Sequence, residues 1–210
     1  MGRLGVFLMI AVFVGAACTS RSKPTIVDTP PASPAPRVVA PAPPAPRPFT
    51  DRELADELRR QGIGGASKGD ANPTSPPGAI LPEITETSRG VIITLPHTHF
   101  EFDSYDLEPQ ARGVVERMAY VLNHPRAANR RVLLEGHADA LGAKEYNLVL
   151  SRRRAETVAR ELIEQGVQRK RITVEAYGES RPVAPNTKPD GSDNPAGRAK
   201  NRRVEAIIRN

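Results

Sequence analysis

Val132-Leu133-Leu134-Glu135-Gly136-His137-Ala138-Asp139-Ala140-Leu141-Gly142-Ala143-Lys144-Glu145-Tyr146-Asn147-Leu148-Val149-Leu150-Ser151-Arg152-Arg153-Arg154-Ala155 is the stretch from which the rest of the chain can be read. Its apolar start reads as a strand that ends in a glycine-bounded loop. A helix is expected to begin near Lys144 and to run to Gln165, closed by Gly166. Asp139 therefore sits in a strand-to-helix loop, with a polar and basic stripe on the helix behind it.

Helical geometry sharpens the picture. At roughly 100° per residue, Leu148, Ala155, Val158, Ala159 and Leu162 share the face expected to meet the core. Asn147, Leu150 and Arg154 run along one edge of that face. Arg153, Glu156, Arg160 and Glu164 point away. Arg154 is thus expected to lean over the core's edge toward the loop of Asp139. A carboxylate and a guanidinium on one cleft suit a zwitterionic ligand: Asp139 takes an ammonium and Arg154 takes a carboxylate through its planar fork. Backbone N–H groups at the helix start can add to the anion's share.

The pattern Glu135-Gly136-His137-Ala138-Asp139, then Gly142, Tyr146-Asn147, Leu150 and Arg153-Arg154-Ala155, resembles the C-terminal domain of the outer-membrane protein A (OmpA) family. Phe100-Glu101-Phe102-Asp103 and Asn201-Arg202-Arg203-Val204 extend the resemblance, which covers about Ile80 to Asn210. It is closest to the peptidoglycan-associated lipoprotein (Pal) branch, where alanine often stands at the position of Ala138. The resemblance implies an α+β fold, a βαβαβ sandwich with helices packed on one mixed sheet. It also implies binding of the diaminopimelate of the cell-wall peptide by Asp139 and Arg154. Asn147 is expected in support. Arg202 is expected nearer the ligand than Arg203, because alternation turns one of them toward the site. Phe100, Asp103 and Leu150 are expected to flank it.

The N-terminal half is of another kind. Arg3, the apolar run Leu4–Val14 and the small residues Gly15-Ala16-Ala17 form a signal peptide, too short to span a bilayer. Cys18, the single cysteine, follows at once. It reads as the lipidated residue of a bacterial lipoprotein, against the alternative of an ordinary signal peptide with a coincidental cysteine. Thr19 rather than aspartate follows it, which in proteobacterial lipoproteins directs transfer to the outer membrane. With no second cysteine there is no disulfide, so the exported fold relies on its core. Of 21 prolines, most lie in the first half and alternate with alanine between Thr19 and Thr50. Such a segment is expected to be disordered, extended and polyproline-like, about 3.1 Å per residue. Asp51–Gln61 reads as a short helix, marginal alone, and Gly62–Gly78 as loop. The expected division is 1–17 signal peptide, 18–79 lipidated cysteine, linker and short helix, and 80–210 binding domain.

Within that domain Arg89–Leu95, Arg131–His137, Arg171–Tyr177 and Arg202–Arg209 read as strands, with His97–Phe102 extending or pairing with the first. Leu107–Asn123 reads as a helix with Pro109 in its first turn. Gly178–Lys200 reads as a long polar loop.

Other chemistry is less well supported. His97-Thr98-His99 offers two imidazoles on one strand face but no third ligand at fixed spacing, so neither metal nor cofactor is expected. No nucleophile elbow, phosphate loop or zinc-protease motif is present, so an enzyme is not expected; a wall hydrolase is the enzymatic alternative. The charge of +6 permits nucleic-acid binding, but the export signal and the scarcity of aromatics argue against it. No spanning helix carries an embedded acid, which argues against a motor stator. The expected partners are peptidoglycan, the outer membrane through lipid and a TolB-like periplasmic protein. The expected role is a noncovalent tether at the periplasmic face of the outer membrane. The alternative is a lipoprotein that mainly engages a Tol-type partner, with wall binding secondary.

Overall fold

The first helix begins at a capping box. Thr50 Oγ accepts from the Glu53 N–H at 3.2 Å, and the Thr50 N–H donates to Glu53 Oε2 at 2.9 Å, so two otherwise orphaned donors are satisfied. Helix α1 spans Asp51–Arg60 and buries Leu54, Ala55 and Leu58 completely. In this computed structural model residues 44–64, 82–100 and 104–210 are described. The expected signal peptide, Cys18 and most of the proline-rich linker lie outside them.

The boundary expected at residue 80 leaves α1 outside the domain. The compact unit runs from Pro44 to Asn210. Phe49, at the end of the expected linker, and Ile63, after α1, are buried in the same hydrophobic cluster as the sheet. Arg130, itself buried, donates to Asp51 and to the Phe49 carbonyl, and the Phe49 N–H donates to the Arg126 carbonyl at 3.0 Å. A helix too short to be stable alone is thus held by apolar burial and by a buried guanidinium.

Strands β1 (Glu83–Thr87) and β2 (Gly90–Pro96) form an antiparallel hairpin. Helix α2 (Pro109–Leu122) leads to β3 (Arg131–His137). Helix α3 (Lys144–Glu164) then connects β3 to the parallel strand β4 (Ile172–Gly178). A short helix α4 (Pro195–Asn201) precedes β5 (Arg203–Arg209), which enters between β2 and β3, antiparallel to both. The sheet order is β1-β2-β5-β3-β4. This is the α+β arrangement of helices on one mixed sheet.

The core lies between α1, α2, α3 and one face of the sheet. Alternation along the strands supplies it: Val91, Ile93 and Leu95 from β2, Val132 and Leu134 from β3, Val204, Ala206 and Ile208 from β5. Met118, Leu122, Val158 and Leu162 meet them from the helices. Arg171 fastens the far end, donating to the carbonyls of Arg130, Leu122 and Ala127 at 2.8–2.9 Å.

Three local expectations differ from the structure. β1 was not expected as a strand; it is an edge strand with little burial, so it lacks apolar alternation. His97–His99 form a 3-10 turn rather than strand, and Phe100 bridges Leu107. Part of the expected polar loop is α4, whose short Pro195-Ala196-Gly197 start hides the helical pattern.

Candidate functional site

Gly136 sets how close the strand and helix behind the site can come. A Cβ there would lie 2.0 Å from the Ser151 carbonyl oxygen, so only glycine allows α3 to pack this tightly on β3. Ser151 Oγ accepts from the Gly178 N–H at 3.1 Å and the Ala138 N–H donates to the Gly178 carbonyl at 2.7 Å. The ends of β3 and β4 and the first half of α3 are therefore one rigid floor, from which the loop 138–143 rises.

Asn147, on α3, ties that loop down. Its buried amide donates to the carbonyls of Asp139 at 3.1 Å and Leu141 at 3.0 Å and to Glu179 Oε2 at 3.0 Å. Asp139 is buried. Its Oδ1 accepts from the Leu141 N–H at 3.1 Å, while Oδ2 pairs with Arg202 at 2.6 Å and Arg198 at 3.5 Å. Arg154 is also buried, as the helical edge requires. Its Nε and Nη2 donate to the Ser104 carbonyl at 3.3 Å, and its guanidinium lies 5.3 Å over the Phe100 ring.

His97 joins the two sides. Its Nε2 lies 3.2 Å from Arg202 Nη2. Its pKa is held below the ordinary imidazole value by burial first, then by the positive charges of Arg202 and Arg154, with Asp139 pulling the other way. The imidazole thus touches Arg202 and lies near enough to Arg154 and Asp139 to feel their charges. A neutral His97 accepts from Arg202, which leaves that arginine's other amino group on Asp139.

The structure puts Asp139 in contact with Asn147 and Arg202, and Arg154 in contact with Phe100. Leu150 is half-buried on α3; Asp103 lies outside the described residues. Leu148 corrects the expected helical face: it is exposed, because the core stripe starts a turn later, at Ser151 and Ala155. Arg203 points to the opposite face, donating to Glu205 Oε1 at 2.7 Å, as strand alternation demands. Arg198, His97, Glu179 and Asn201 were missed as site residues. Arg198 stands four before Arg202, but the segment read as loop. Asn201 holds the same region in place, accepting from the Val183 and Ala184 N–H groups at 2.8 and 3.0 Å.

A βαβ floor with a buried acid paired to arginines at its strand-to-helix loop is the arrangement to compare with known proteins. The OmpA family model matches residues 99–195. The chain is 38% identical over 144 residues to the peptidoglycan-associated lipoprotein of Pseudomonas putida, covering 69% of this chain and 80% of that protein. The chain belongs to the OmpA family. Outer membrane porin F of Pseudomonas fluorescens is 43% identical over 109 residues, 52% of this chain but only 31% of the porin's length. Among solved structures, the periplasmic domain of Helicobacter pylori MotB superimposes with a TM-score of 0.52 at 25% identity, covering 60% of this chain and 80% of that one.

Proposed function

We propose that this chain binds peptidoglycan noncovalently through the diaminopimelate of its stem peptide, and that lipid on Cys18 makes it a tether between outer membrane and wall. The observation that carries the reading is that buried Asp139 holds Arg202, which touches His97, while the buried guanidinium of Arg154 acts on the same imidazole. The relatives named for peptidoglycan association support the class of ligand. Diaminopimelate ends its side chain in an ammonium and a carboxylate on one carbon. The ammonium goes to Asp139. An ionised carboxylate offers about four acceptor positions, so it can take this donor beside those it already holds. The carboxylate goes to the Arg154 fork, and Arg202 adds positive charge beside it. The protein has a binding role and no catalytic one. A TolB-like protein is a further proposed partner.

The test is calorimetric titration with two stem peptides, one bearing diaminopimelate and one bearing lysine, which lacks the distal carboxylate. A charge-assisted hydrogen bond is worth about 1.5–3 kcal/mol, so the lysine peptide should bind roughly tenfold to a hundredfold more weakly. Arg154→Lys should not restore the difference, because an ammonium lacks the planar fork. Asp139→Asn should weaken both peptides. Equal affinity for the two peptides removes Arg154 from this role. Incubation with sacculi separates the enzymatic alternative: a tether cosediments, a hydrolase releases fragments. Cys18→Ala should shift the protein out of the membrane fraction, or leave it unprocessed.

A further inference from the structure

The sheet face turned away from the helices carries a second group of ionisable side chains. Alternation along β3 and β5 sends Glu135, His137, Arg203 and Glu205 to that side. The register sets Glu135 opposite Glu205 and His137 opposite Arg203. All four are buried. Two carboxylates directly across a central strand pair repel each other and need positive charge between them.

Arginines supply part of it. Arg203 Nε holds Glu205 Oε1 at 2.7 Å. Arg89 pairs with Glu135 Oε1 and stands 3.8 Å from Glu205 Oε2, and Arg181 stands 3.8 Å from Glu135 Oε1. On Glu135 the arginines reach Oε1, whereas Oε2 faces His137 Nε2 at 3.9 Å. His137 is only 2% exposed, and neither ring nitrogen has a hydrogen-bond partner among the described residues. A buried imidazole with both nitrogens unpaired is costly. One face of the ring stacks on Tyr177 at 5.6 Å. One ligand atom each from Glu135, His137 and Glu205 lies within 4.8 Å of the others.

We propose that Glu135, His137 and Glu205 form a binding site for a zinc-like divalent transition metal on the back of the sheet. The donor set is one imidazole nitrogen and two carboxylate oxygens, which suits zinc and its neighbours; calcium and magnesium take oxygen ligands throughout. Zinc binds such atoms at about 2.0–2.2 Å, so the three ligands draw inward by about 1 Å, with water completing the shell from the open side. Arg203, bonded to the other oxygen of Glu205, orients that carboxylate as outer partners of metal ligands do. Arg89 and Arg181 are about half exposed and can turn into solvent when the ion takes over the charge they balance. The site is distinct from that of Asp139, which pairs with Arg202 while Arg203 holds Glu205.

The experiment is calorimetric titration of the purified full chain, in non-ionic detergent, with zinc chloride alone. The expected result is one zinc per chain, with a rise in melting temperature. Glu205→Gln and His137→Phe should abolish that stoichiometric step, and the His97→Ala, His99→Ala double variant should retain it. Arg89→Gln, which removes a competing cation, should bind zinc more tightly. No stoichiometric uptake overturns the proposal, as does uptake that survives in folded Glu205→Gln. So does unaltered or weaker binding in Arg89→Gln. Should His137→Phe fail to fold by circular dichroism, Glu205→Gln decides alone.

Discussion

Asn147 shares two amide hydrogens among three acceptors, two of them carbonyls of the loop that carries Asp139. Its loss leaves buried acceptors unsatisfied, at about 1–3 kcal/mol. Asn147→Ala should therefore lower the urea midpoint and, in the protein that remains folded, weaken ligand binding as the loop loosens. Unchanged affinity would show that Asp139 is held by its arginines alone. His137 gives a pH dependence. Burial, then the charges of Arg203, Arg181 and Arg89, push its imidazole down to about 3, against about 6.5 in an unfolded chain. Between those values the unfolded chain binds a proton that the folded one refuses. Stability is therefore lost as pH falls from about 6.5 toward 3, by up to about 1.4 kcal/mol per pH unit from this group; above 6.5 it contributes nothing. With chelator present, the stability difference between wild type and His137→Phe should shift in favour of the variant from pH 7 to pH 4. Parallel urea midpoints across that range would refute the assignment.

Elements meet where residues permit it. The approach of β3 to α3 depends on Gly136, and a methyl group there meets the helix backbone at 2.0 Å. Backbone cannot rotate aside as a side chain can. Gly136→Ala should thus cost at least the 1–3 kcal/mol typical of overpacking, roughly, and should separate the floor that positions Asn147 from the loop above it. Chemical denaturation reads the first effect and peptide titration the second. Helix α1 is the opposite case, an element whose own sequence does not secure it. Leu58 is fully buried in the shared cluster, so Leu58→Ala should lower stability by about 2–5 kcal/mol although it lies in a helix expected to be marginal alone. A loss within the surface range of about 0.5 kcal/mol would mean that α1 is dispensable.

For the whole molecule, the question is where folding begins along the chain. Arg47 pairs with Glu53 at 2.7 Å, and Arg126 stacks over Phe49 at 4.2 Å while donating to the Arg47 carbonyl at 2.9 Å. The unit Pro44–Asn210 contains the whole cluster, so deleting residues 19–43 should leave melting temperature and peptide affinity unchanged. Deleting residues 19–64 should destabilise the rest, because it strips Phe49, Leu54, Leu58 and Ile63 from the shared cluster. Equal melting temperatures for the two deletions would return the domain boundary to residue 80.

Periodicity made α2, α3 and the four strands β2 to β5 legible, since each repeats apolar residues at the spacing of its own geometry. The same helical arithmetic put Asn147 and Arg154 along one edge of α3, where both are buried, and ranked Arg202 above Arg203 beside the acid. Those are properties of a chain's local geometry, and the sequence alone determines them. β1 and α4 escaped because an edge strand and a two-turn helix bury too little to imprint a pattern. Arg198 reached Asp139 only through α4, and Glu135 met Glu205 only through the register of β3 on β5. The docking of α1 likewise awaited Arg130, which is distant in sequence. Contacts between distant segments are set by how elements pack, and no local spacing encodes which partner a buried charge will meet.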